Sequence, residues 1–302
     1  LGHCHPHLVD ALKSQAETLW HCSNLYHIPG QERLAERLVS HTFADAVFFN
    51  NSGGEAVEMG FKMMRKYHAE AGHPERYRVI SVEGAFHGRS LACISSGRQE
   101  KHTAGFGPLV DGFDQVAFGN MNEMRAAITP ETAGIVIEPV QGEGGIRPVD
   151  ADYLKELRAV ADEFGILLMY DEVQCGIGRT GKLYAHEWSG AAPDILASAK
   201  GLGGGFPIGA TLATEAVADA MKAGSHGSTF GGNPLAMAVG NAVVDVVLAD
   251  GFMDNVTARA EQLANGLDAL VKKYPDILAG HRGMGLMQGL QCQGENGENG
   301  TL

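Results

Sequence analysis

ADYLKELRAVADEFGILLMYDEV, residues 151 to 173, carries two periodicities in one run. Leu154, Leu157, Val160, Ala161 and Phe164 recur at three- and four-residue intervals, which puts them on one face of a helix. Asp150, just before the run, is suited to cap that helix. At Gly165 the pattern changes. ILLMYDEV is apolar on both faces, as a strand buried in a parallel sheet is. The stretch therefore predicts a helix over 151–165 followed by a strand over 166–173.

The same alternation extends in both directions. VFFN (47–50), YRVISVE (77–83), GIVIEPV (134–140), DILASAK (194–200) and GATLAT (209–214) read as further strands. GEAVEMGFKMMRKYHAEA (54–71), NPLAMAVGNAVVDVVLAD (233–250) and MDNVTARAEQLANGLDALVKKY (253–274) read as helices. Strands alternating with helices of this length predict an α/β fold, a mostly parallel central sheet with helices on both faces. In such sheets ligands sit beyond the carboxyl ends of the strands. After about residue 250 the pattern becomes a long helix, a glycine-rich turn (GHRGMG, 280–285) and one strand (LMQGLQC, 286–292), the start of a second, incomplete domain.

Composition narrows the function classes. The 302 residues are 44% hydrophobic and 20% charged, ordinary values for a globular enzyme-sized chain. A net charge of -13 argues against nucleic acid or an anionic membrane as the main partner. No apolar run approaches the roughly 20 residues needed to span a bilayer, and no leader pattern is present. The five cysteines are odd in number and scattered, which suits reduced thiols in the cytoplasm. The opening on Leu1 and the polar ending GENGENGTL (294–302) suggest a fragment.

Polar clusters follow several of the strands. Asp171 ends GILLMY, so its carboxylate is desolvated and needs a strong partner: an Arg or Lys of the fold, or a cationic ring nitrogen on a ligand. SGGEAVE (52–58) puts Ser52, Gly53 and Gly54 at a helix start, either an anion site or a plain tight turn. In EGAFHGRS (83–90), Phe86 offers a face for stacking and Arg89 a fork for a carboxylate, although either alone is core or solvated charge. In EPVQGEGG (138–145), Glu138 reads as a structural ion-pair member and Glu143 lies in a flexible turn. HGSTFGGNP (226–234) presents Ser228 and Thr229 before a helix, as phosphate ligands or as a cap.

Lys200, in ASAKGLGGGFPIG (197–209), is followed by four glycines within five residues. It is either a phosphate-loop lysine or a reactive amine, and no G-x-x-x-x-G-K precedes it. Gly176, Gly178 and Gly181 match G-x-G-x-x-G, but lie beyond a polar DEVQ stretch and before a poor helix. GHCHPH (2–7) gathers histidines and a cysteine, yet its crowding and Pro6 suit a turn opening the next helix better than a metal site.

Together these clusters call for a flat ligand with a cationic ring nitrogen (Asp171), a stackable face (Phe86), a phosphate (Gly53, Gly54, Thr229) and an aldehyde for Lys200. Pyridoxal phosphate meets all four demands.

LLMYDEVQCGIGRTG (167–181), SAKGLGGGFPIG (198–209) and HGSTFGGNPLA (226–236), in this order, resemble the class III aminotransferases of the aspartate-aminotransferase-like fold, PLP fold type I. The resemblance covers essentially the whole chain. It implies that Lys200 is the Schiff-base lysine and Asp171 the partner of the ring nitrogen. It implies that Gln174 bonds the ring hydroxyl, Val173 and Phe86 sandwich the ring, and Gly53 and Gly54 hold the phosphate. Thr229 would reach the cofactor of a neighbouring subunit, giving a homodimer with shared active sites. Where Gly54 stands the family usually has Ala or Thr, so an amide contact survives and a hydroxyl contact does not. Residues 1–24 would be an N-terminal segment, 25–250 the large cofactor-binding domain and 251–302 the start of a small C-terminal domain.

LWHCSNLYHIP (19–29), SGGEAVE, AFHGRS and EPVQGEGG are most similar to the acetylornithine aminotransferase branch. That implies transfer of a terminal amino group from N2-acetylornithine to 2-oxoglutarate, a step of arginine biosynthesis, with Arg89 on the substrate α-carboxylate and Glu143 as an acidic gate. The mechanism would be ping-pong, with Lys200 as the base once the substrate amine has displaced it. Succinylornithine, ornithine and 4-aminobutyrate transaminases remain alternatives, as do a PLP aminomutase, a non-catalytic binding protein and a nucleotide-binding protein.

Overall fold

The computed structural model describes residues 1–294; the rest of the polar tail lies outside the described residues. Two helices, α1 (Pro6–Ala16) and α2 (Pro29–Ser40), precede β1 (Ala46–Asn50) and the long α3 (Gly53–Glu70). Then come β2 (Arg78–Val82), α4 (Leu91–Gly97), α5 (Glu100–Thr103), β3 (Phe113–Val116), α6 (Met121–Ala127) and β4 (Thr132–Ile137). A small ribbon of β5 (Val140–Gln141) and β6 (Arg147–Pro148) leads to α7 (Ala151–Phe164) and β7 (Leu167–Asp171). The chain continues through β8 (Ile195–Ser198), β9 (Gly209–Ala213), α8 (Glu215–Ala218), α9 (Pro234–Val247) and α10 (Phe252–Lys273), and closes on β10 (Leu278–Met284) and β11 (Met287–Cys292).

The expected helix and strand around Gly165 are both present. Asp150 caps α7, accepting from the amides of Asp152 at 2.8 Å and Tyr153 at 3.4 Å. Gly165 ends the helix at φ +61°, a left-handed conformation that glycine adopts without a Cβ penalty. In β7, Leu167 and Met169 join the cluster under α3, while Leu168 and Tyr170 join the one under α7. That alternation is the two-residue period of a strand with both faces covered. Each fully buried leucine, such as Leu157 or Leu168, contributes about 1.5–3 kcal/mol of transfer free energy.

The seven-stranded sheet runs β1-β9-β8-β7-β4-β2-β3. Neighbours pair in parallel from β8 through β7, β4 and β2 to β3. β9 runs antiparallel to both its neighbours. The carboxyl ends of β1, β2, β4, β7 and β8 therefore share one edge, and Gly209 opens β9 at that edge opposite Asn50. The turns carrying SGG, AFHGR, VQGE, DEVQ and AKGLGG converge there.

The sequence reading lacks α2, α4, α5, α6, α8 and the β5–β6 ribbon, and two further strands differ from it. GHRGMG is mostly strand: residues 280–284 lie within β10, which pairs antiparallel with β11, and only Gly285 falls in the turn between them. Its glycines obscured a strand whose burial is intermediate along most of its length. β3 was also missed. FDQV is a short edge strand, tied to β2 by the two-pronged ion pair of Arg78 with Asp114 at 2.7 and 2.8 Å rather than by apolar pattern.

Candidate active site

At the carboxyl edge lies a cavity of about 330 Å³. It is lined by Gly53 and Gly54 from the start of α3, Phe86 and His87 after β2, Glu138 after β4, Asp171, Val173 and Gln174 around the end of β7, and Lys200 after β8. Five strand ends thus contribute, and every cofactor-binding residue expected from the sequence is present except Thr229.

Asp171 is 3% exposed. Its Oδ1 accepts the Val173 amide at 3.1 Å, and its Oδ2 lies 2.8 Å from Nδ1 of His87. Burial pulls the His87 pKa down, but the hydrogen bond and charge of Asp171, with Glu138 adding to them, leave it raised. The Nε2 of His87 is buried without a partner among the described residues. Each oxygen of the carboxylate thus has one nitrogen partner, His87 on one side and the Val173 amide on the other.

Lys200 has no hydrogen-bond or ion-pair partner among the described residues. Its backbone sits at φ +41°, where a non-glycine residue is strained. The side chain borders three cavities and so is solvent-accessible, yet the protein packed around it lowers its pKa. Desolvation is the main cause, opposed by the charges of Asp171, Glu143 and Glu138. An amine with a lowered pKa is more often neutral, hence nucleophilic and able to take up a proton.

Ser52 caps α3 through Oγ, accepting from the Glu55 amide at 3.2 Å. The start of α3, with Ser52, Gly53 and Gly54, lines the cavity, and helix starts of this kind bind anions. A Cβ on Gly53 would fall 2.7 Å from Cγ1 of Val173, so this position needs glycine. Gly142 makes room for Gln174 in the same way, since a Cβ there would sit 2.0 Å from its Oε1. Gln174 donates from Nε2 to Oε1 of Glu143 at 3.2 Å. Arg89 is exposed and lies over Phe86, its guanidinium carbon 5.4 Å from the ring centre. Thr229 is apart from this cavity. It borders a neighbouring one with Glu55, Glu58, His226 and Ser228.

Two participants were missed. His87 was read only as one member of a polar turn, although its place after β2 was the available signal. Glu138 is not the ion-pair member that its sequence context predicts: it forms no ion pair among the described residues, because backbone amides take up its oxygens. It is 3% exposed and accepts the amides of Phe86 at 2.9 Å and Gly142 at 3.1 Å. Burial, and then the nearby charge of Asp171, push its carboxyl well above the usual range.

The sequence profile of the aminotransferase class-III family matches residues 1–301. The chain belongs to the class-III aminotransferases. Among curated relatives, an acetylornithine aminotransferase of Mesorhizobium japonicum is 64% identical over 292 residues, covering 97% of this chain and 73% of the relative. Among solved structures, the ornithine aminotransferase of Toxoplasma gondii ME49 superposes with a TM-score of 0.93 at 31% identity, covering 97% of this chain and 70% of its own. An amine transaminase from an uncultivated Pseudomonas species, solved in a PLP-bound form, gives 0.90 at 32% identity, covering 99% and 74%. The α/β fold predicted from the sequence is therefore the fold of class-III aminotransferases, and its cavity lies at the strand ends where the motifs converge.

Proposed function

We propose that this aminotransferase uses pyridoxal phosphate to move the terminal amino group of N2-acetylornithine to 2-oxoglutarate. The observation that carries the reading is the pairing, in one cavity, of an unpartnered, desolvated Lys200 amine with a buried Asp171 carboxylate. The lining fits the cofactor: a bare helix start for a phosphate, Phe86 and Val173 for the two ring faces, and a carboxylate for the ring nitrogen. Identity of 64% with a relative named acetylornithine aminotransferase supports the choice of amine.

Bound here, the cofactor would supply an aldehyde for amine exchange and a ring that withdraws electrons from the carbon bearing the substrate amine. The chain's own groups do the rest. Asp171 keeps the ring nitrogen protonated, and His87 keeps Asp171 oriented. Lys200 Nζ, freed once the substrate amine is bound, would take up the proton from the amine-bearing carbon and hold it for return. Gln174 offers Nε2 to the ring hydroxyl, Arg89 receives the substrate carboxylate, and Glu143 gates the entrance by releasing or holding Gln174.

The same reading proposes a homodimer with shared sites. Thr229 sits outside its own chain's cavity, on a face where Trp20, Leu25, Tyr26 and Phe230 are exposed. We further propose action in the cytoplasm, supported by five unpaired cysteines, and the division at residues 24 and 250 into an N-terminal segment, a large domain and the start of a small one. No single helix among the described residues is long and apolar enough to cross a bilayer.

The test is a substrate panel. N2-acetylornithine should be turned over faster than ornithine, N-succinylornithine or 4-aminobutyrate, and only when 2-oxoglutarate is supplied. Preference for another amine would overturn the substrate, and turnover without an acceptor would indicate a mutase.

A further inference from the structure

A single buried carboxylate holds two walls of the cavity. Glu138 follows β4 and lines the cavity beside Asp171 and Lys200. Its Oε1 accepts the amide of Phe86 and its Oε2 the amide of Gly142, at 2.9 and 3.1 Å. From the first amide hang the Phe86 ring and, lying over that ring, Arg89. From the second hang Glu143 and the close approach of Gly142 to Gln174, reinforced by the 3.2 Å hydrogen bond between Gln174 and Glu143.

A glutamate side chain of this length suits both amides, because each of its two oxygens can accept one N–H. Glutamine would turn an N–H towards one of the two N–H groups, and aspartate is one methylene shorter. Burying a carboxylate beside Asp171 is unfavourable, and any cheaper side chain would hold one loop instead of two. That cost makes sense if the relation between the two loops is what matters.

We propose that Glu138 is a positioning residue that sets the spacing between the Phe86 wall and the Gln174–Glu143 wall, and thereby the slot that receives the flat ring. This rests on pyridoxal phosphate being the ligand of the cavity.

The test compares Glu138→Gln in the wild-type and Phe86→Ala backgrounds, reading the dissociation constant of pyridoxal phosphate by absorbance titration. In the wild-type background, losing one of the two hydrogen bonds should weaken binding about 10- to 100-fold. In the Phe86→Ala background the same change should cost less than about 2-fold, because the wall it positions is already gone. Equal losses in both backgrounds would mean general destabilisation and overturn the proposal, as would an unweakened single variant. Wild-type protein that binds no pyridoxal phosphate would overturn the proposed function along with it. If Glu138→Gln does not fold, hydrogen exchange of the wild type decides. Peptides over 84–89 and 140–145 should protect the Phe86 and Gly142 amides to the same degree, and exchange of either at the rate of a free amide overturns the proposal.

Discussion

Nδ1 of His87 lies 2.8 Å from Oδ2 of Asp171, with both side chains closed off from solvent. Asparagine at position 87 can still present a donor near the Nδ1 position, whereas alanine leaves the buried carboxylate short of a partner, at a cost of about 1–3 kcal/mol. His87→Ala should therefore lower kcat at least about 10-fold, with His87→Asn falling between it and the wild type. Steady-state kinetics of the two variants check the order.

The Lys200 amine supplies a pH dependence with a defined sign. Its pKa lies below the ordinary 10.5 because desolvation outweighs the opposing charges, of which Asp171 is the largest. The rate at which the apo-protein captures pyridoxal phosphate should rise with pH as the amine loses its proton, with a midpoint below 10.5. Asp171→Asn removes the main charge holding the proton on, so it should move that midpoint further down. Stopped-flow capture rates across pH would show an upward shift if this electrostatic reading is wrong.

Gly53 and Gly54 are adjacent but not equivalent. A Cβ on Gly53 meets Val173 at 2.7 Å, while one on Gly54 finds its nearest neighbour, the Gly88 Cα, at 3.8 Å. Gly53→Ala should destabilise the protein by about 1–3 kcal/mol through overpacking, and weaken cofactor binding as Val173 is displaced. Gly54→Ala should change stability by no more than about 0.5 kcal/mol. Thermal melts and cofactor titrations of the pair measure the contrast.

His68, on α3, is 2% exposed, and its Nε2 lies 2.9 Å from the carbonyl oxygen of Ala133, to which the neutral ring donates. Desolvation lowers its pKa below 6.5 despite that hydrogen bond. The unfolded chain therefore binds a proton that the folded one resists, and stability is lost as pH falls through 6.5 towards the lower folded value. Denaturant melts from pH 7.5 to 5 should show this loss, and His68→Gln should flatten it.

Much of the site was legible because its residues end apolar runs. Asp171 stands where GILLMY stops, and Lys200 where DILASA stops, so the strands that carry them could be read together with their chemistry. Asp150 marked the start of α7 by cap chemistry, and the change of pattern at Gly165 marked its end. What escaped notice depends on tertiary contact. The carboxylate of Glu138 also ends an apolar run, but its acceptors are used by amides 52 residues before it and four after it, which no local pattern shows. His87 gains its meaning only from a strand 84 residues further on. β10 was hidden because Gly280, Gly283 and Gly285 look like a turn until the pairing with β11 is seen.

The central claim is that Lys200 bonds covalently to the cofactor. Incubation of the protein with pyridoxal phosphate, reduction with borohydride and peptide mapping by mass spectrometry test it directly. The account predicts a visible absorption band before reduction and one stable adduct, on the peptide containing Lys200, that is absent from Lys200→Ala. An unmodified Lys200 peptide, or adducts spread over surface lysines and unchanged in the variant, would contradict it.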